Sequence, residues 1–151
     1  MLLSRSFTVI GLGLCLATAC GSDEPDPDEE VNCAEETRDD EFVAGMSKAG
    51  DLWTFRLMDA TPAPPDKGDN SWSVRVEQEE AGLEGLNLTV TPFMPDHGHG
   101  TPIDPQVTDE GGGDYRLAPV NMWMPGLWQV TVEAQDGDQL DSAVFAFCIQ
   151  G

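Results

Sequence analysis

Apolar residues recur at every second position in short runs broken by Gly, Pro, Asn and Asp, and no stretch of ten residues carries a helical stripe. Residues 52–58 place Trp53, Phe55 and Leu57 on one face, and residues 71–77 do the same with Trp72, Val74 and Val76. Leu86, Leu88 and Val90 alternate with polar neighbours, a fourth run begins at Tyr115, and Trp128, Val130 and Val132 mark a fifth. Residues 143–149 are apolar on both faces, as a central strand requires. Turn residues fill 62–70, 82–85, 111–114 and 136–138. A period of two with breaks at this spacing predicts an all-β domain over residues 42–151, an immunoglobulin-like antiparallel β-sandwich of about seven strands.

The first residues read as an export signal. Arg5 precedes an apolar run from Phe7 to Ala17, roughly ten residues and too short to cross a hydrocarbon core of about 30 Å. The run ends in Leu16-Ala17-Thr18-Ala19-Cys20, small residues ahead of a cysteine, which resembles a bacterial lipobox. Residues 1–19 are therefore expected to be a lipoprotein signal peptide. Cys20 is expected to carry the lipid that anchors the chain at a membrane surface. Cleavage after Ala19 without lipidation is the alternative, and both routes export the protein. Residues 20–41 are acidic, proline-bearing and poor in apolar side chains, the composition of a solvated tether that like charges extend. The expected location is the periplasm-facing cell envelope, with the outer membrane favoured over the inner.

A formal net charge of −21 argues against nucleic acid as a partner, because phosphate binding needs a basic face. The same charge disfavours direct adsorption to anionic lipid. Cys15 leaves with the signal and Cys20 is the lipid candidate, so Cys33 and Cys148 remain. In an oxidising compartment these two are expected to pair. Their use as soft metal ligands is the sharper alternative.

The chain has two histidines, and both fall in Met94-Pro95-Asp96-His97-Gly98-His99-Gly100. In extended backbone, residues i and i+2 point to the same side with Cα atoms roughly 6–7 Å apart, so two imidazoles can converge on one ion. Met122 and Met124 repeat that spacing in Met122-Trp123-Met124-Pro125-Gly126. Imidazole and thioether together suit copper, and thioether-rich sets favour Cu(I). Zinc would call for oxygen or thiolate, and nearby only Asp96 and Asp104 could supply it. His97 and His99, with Met94, Met122 and Met124, are the candidate ligands. The bland alternative makes the methionines gap-fillers of a sandwich end and the His-Gly-His run a polar turn.

No Gly-x-Ser-x-Gly elbow, cysteine–histidine pair or distinguishable carboxylate pair is present, so the chain is read as a non-enzyme. The combination of Met94-Pro95-Asp96-His97-Gly98-His99-Gly100-Thr101-Pro102 with Met124-Pro125-Gly126-Leu127-Trp128-Gln129-Val130 resembles the YtkA-like domain, related to FixH, over about residues 50–149. The resemblance implies a small exported or membrane-anchored β-sandwich linked with copper handling or oxidase assembly. It also implies that Met94, His97 and His99 share one loop, with Met124 opposite.

The expected function is that of a lipid-anchored domain that binds copper, as Cu(I), and stores it or passes it to a partner. A non-metal module that presents its loops to another envelope protein is the rival expectation. Membership of an envelope enzyme complex is a third.

Overall fold

The computed structural model describes residues 31–151, so the expected signal peptide and Cys20 lie outside the described residues. Ten strands and no helix are present among the described residues. In chain order they are β1 (Met46–Ala49), β2 (Thr54–Thr61), β3 (Gly68–Gln78), β4 (Ala81–Gly82), β5 (Asn87–Met94), β6 (His99–Gly100), β7 (Gln106–Gly111), β8 (Asp114–Met122), β9 (Gly126–Asp136) and β10 (Gln139–Ile149). They form two antiparallel sheets. One runs β1-β2-β3-β8-β7 with β4 attached to β3, and the other runs β10-β9-β5-β6.

The antiparallel β-sandwich expected from the alternation is what the chain builds. β5 follows the rule without exception, with Leu88, Val90, Pro92 and Met94 inward and Asn87, Thr89, Thr91 and Phe93 exposed. Trp72, Trp128, Tyr115, Phe55 and Phe145 fill the space between the sheets with no exposed surface. Each such side chain contributes roughly 1.5–3 kcal/mol of transfer free energy. The strand count exceeds the expected seven because β4 and β6 are two residues long, while β7 is a polar edge strand. Such an edge meets solvent on nearly every residue and shows no apolar period.

Residues 33–40 lie against this domain, although composition places them in the tether. Cys33 and Cys148 form the expected disulfide, with Cα atoms 5.5 Å apart across 115 residues of sequence. Asp40 donates its backbone N–H to the Ala146 carbonyl at 2.7 Å and accepts the Ala146 N–H on Oδ2 at 2.9 Å. β10 is an edge strand of its sheet, not the central strand that its apolar run predicts, and this pairing covers part of the edge. Lys48 forms an ion pair with the same carboxylate. A second tie, at Asp141, holds the chain entering β2. The buried Asp141 carboxylate accepts the N–H groups of Asp51, Leu52 and Trp53 at 2.8–2.9 Å.

Candidate metal centre

β5 delivers the site. Its last residue, Met94, is fully buried, and the carbonyl of Met94 accepts the N–H groups of His97 and Gly98 at 3.3 and 2.9 Å. Residues 95–98 thus form a tight reversal, in which Gly98 takes the left-handed angle of φ 68° that a side chain disfavours. The chain returns as β6, pairing Met94 with His99 and Phe93 with Gly100. Directly opposed residues of an antiparallel pair share a face. His99 therefore lies on the inward side with Met94, half-buried, while His97 stays exposed on the turn.

The two imidazole rings stand 5.7 Å apart between centroids. Rings bound to one ion through nitrogen bonds of about 2 Å have centroids roughly 5–6.5 Å apart, so this spacing is compatible with a shared ion. His99 Nδ1 lies 3.1 Å from the Gly100 carbonyl oxygen. The tautomer that donates there leaves Nε2 as the free lone pair, the arrangement in which a backbone acceptor orients a metal-binding imidazole.

The second loop meets the first from across the β8–β9 turn. Trp123 is 45% exposed and stacks on His99, with centroids 5.6 Å apart and planes inclined by 24°. Gly126 opens β9 with φ 127°. A β-carbon there would sit 2.6 Å from the Met94 methyl and 3.9 Å from His97 Nε2. The methyl end of the buried Met94 side chain and an imidazole nitrogen of the exposed His97 thus both lie against Gly126. Thr101 donates to the Asn121 side-chain oxygen at 3.0 Å, and Asn121 donates to Asp69 at 2.6 Å. These bonds tie the segment after β6 to the opposite sheet and close this end of the sandwich.

His97, His99 and Met94 are therefore brought together, with Trp123 beside them. Met122 is fully buried in the core, opposite Gly68 on β3, and Met124 is half-buried against the same core. The Met124 carbonyl accepts the Trp128 indole N–H at 2.9 Å. Among the described residues no group of three or more His, Cys, Asp or Glu side chains is disposed to hold an ion. Two imidazoles with a thioether form a soft donor set.

Asp96, one of the two oxygen donors near the histidines, is engaged elsewhere. Arg38 donates Nη1 to Oδ1 at 2.8 Å and Nη2 to Oδ2 at 2.7 Å. The Arg38 hydrogen bonds lower the Asp96 pKa. Glu36 grips the same guanidinium at 2.8 and 2.6 Å and is itself lowered to about 2, chiefly by its side-chain bonds with Arg38. Neither Arg38 nor Gly126 stands out in a search for ligands. The available signal for Arg38 is that it is the only cation between residues 20 and 47. For Gly126 the signal is the Pro-Gly pair at a strand start.

The YtkA-like family model matches residues 47–133, a span that holds both loops. No curated protein matches the chain, and no solved structure does.

Proposed function

The chain belongs to the YtkA-like family, and from its sandwich end we propose that it binds one copper ion, as Cu(I), for storage or for transfer to a partner protein. The observation that carries this reading is the approach of Met94 and His97 to a common space beside Gly126, with the His99 ring 5.7 Å from that of His97. His97 and His99 are the nitrogen ligands. Met94 is the thioether that would join them, while Met122 is buried in the core and Met124 packs against it. A linear or trigonal soft set of this kind stabilises the reduced ion. An exposed His97 gives an incoming partner a ligand it can displace, which transfer requires. The apolar run before Cys20 and the small residues around it support export and a lipid anchor at the envelope. We assign no catalytic reaction to the chain.

The test is a Cu(I) titration of the full chain against a His97→Ala/His99→Ala double variant. The reading expects one ion per wild-type chain and loss of uptake by the variant. Equal uptake by both removes it.

A second reading, a protein-docking module without metal, draws on the exposure of Trp123, Ile103 and Phe93 near this end. It expects no selective Cu(I) uptake by the wild-type chain, so the same titration separates the two.

A further inference from the structure

The turn that carries both histidines contains one carboxylate, Asp96, and both of its oxygens are held by a single side chain. The Arg38–Asp96 pair is bidentate, the geometry in which a guanidinium most specifically occupies a carboxylate. Arg38 is itself fixed. Three bonds join its guanidinium and backbone N–H to Glu36 Oε1 and Oε2, all between 2.6 and 2.9 Å. The segment is fastened on either side of Arg38, by the Cys33–Cys148 disulfide and by the two Asp40–Ala146 hydrogen bonds. A guanidinium is thus brought from 58 residues away in sequence to the residue next to His97.

The chemistry of that carboxylate decides which ion the site prefers. Two imidazoles with a thioether form a soft set, whereas two imidazoles with a carboxylate oxygen form a set that suits Zn(II). Resting on the copper reading above, we propose that Arg38 is a specificity-determining residue that withholds the Asp96 oxygens from the site and so sets Cu(I) against Zn(II). Arg38 touches no ligand nitrogen or sulfur in this role; it acts through Asp96.

The experiment measures Cu(I) and Zn(II) affinities, each metal alone in competition with a chromophoric chelator. The proteins are the full chain, Arg38→Ala, Asp96→Ala and the Arg38→Ala/Asp96→Ala double variant. Arg38→Ala is expected to gain roughly tenfold in Zn(II) affinity, the scale on which outer partners tune metal sites. Its Cu(I) affinity is expected to stay within about twofold of wild type. Asp96→Ala and the double variant are expected to keep the wild-type Zn(II) affinity. Asp96→Ala breaks the same strap without freeing an oxygen, so it separates a released donor from a loosened loop. The proposal is overturned if Arg38→Ala gains no zinc affinity, or if Asp96→Ala gains as much. A wild-type chain that takes up no Cu(I) overturns the copper reading, and this inference with it, through a different readout.

Discussion

The absent side chain of Gly126 is what lets Met94 stand where it does: a β-carbon at position 126 would lie 2.6 Å from the Met94 methyl, well inside contact distance. The backbone angle of φ 127° independently disfavours any side chain there. Gly126→Ala is therefore expected to displace the Met94 methyl and strain the start of β9, costing about 1–3 kcal/mol in urea unfolding, chiefly through the backbone angle. It is also expected to lower Cu(I) affinity. A variant with wild-type stability would show that the space above Gly126 is less restricted than this geometry requires.

Met94→Leu separates packing from ligation. The swap nearly conserves volume, so the stability cost is expected below about 1.5 kcal/mol. Loss of the thioether is expected to weaken Cu(I) binding by roughly tenfold or more, whereas Met122→Leu leaves it near wild type. Chelator competition on both variants checks this. A larger effect at Met122 would move the sulfur ligand to the β8 end.

Asp141 gives the fold a carboxylate that must be ionised to hold the chain entering β2. Burial pushes its pKa up, but the N–H groups of Leu52, Asp51, Trp53 and Ser142 together outweigh burial and the net shift is down. A folded pKa below the unfolded one adds stability that is complete above roughly pH 4 and is lost as pH falls through the lower folded value. Asp141→Ala is expected to cost about 1–3 kcal/mol at pH 7, since it leaves the N–H groups of Asp51, Leu52 and Trp53 without their acceptor, that of Trp53 in a buried position. The gap to wild type should narrow below about pH 4. Urea unfolding at pH 7 and pH 3 checks both statements, and a gap independent of pH contradicts the ionic origin of the tie.

Reducing the Cys33–Cys148 disulfide releases a loop of 115 residues in the unfolded chain. The expected cost is about 2–5 kcal/mol, read as a fall in the urea midpoint on adding reductant. A Cys33→Ser/Cys148→Ser variant should show the same fall and no further response to reductant. Cu(I) uptake is expected to persist, because neither cysteine is a ligand in this account.

The strands that built the expectation of a sandwich are those with one buried face. Leu88, Val90 and Met94, or Trp128, Val130 and Val132, alternate because the pleat sends them inward. β7 carries no apolar period because an edge strand of this kind buries almost nothing. Histidine scarcity led directly to His97 and His99, and Met94 followed from its place in the same motif. The contributions of Trp123, Gly126 and Arg38 were not legible, since each acts across a contact distant in sequence: a stack, a vacancy and an ion-pair fork. Residues 33–40 read as tether for a related reason. They are held by a disulfide, a backbone pairing and salt links, none of which leaves an apolar period in the sequence.

The most direct measurement is copper K-edge X-ray absorption on the protein loaded with one equivalent of Cu(I). The account expects a first shell of two imidazole nitrogens with sulfur, and loss of the sulfur contribution in Met94→Leu. A shell of nitrogen and oxygen alone, or a protein that retains no copper after dialysis, would contradict it.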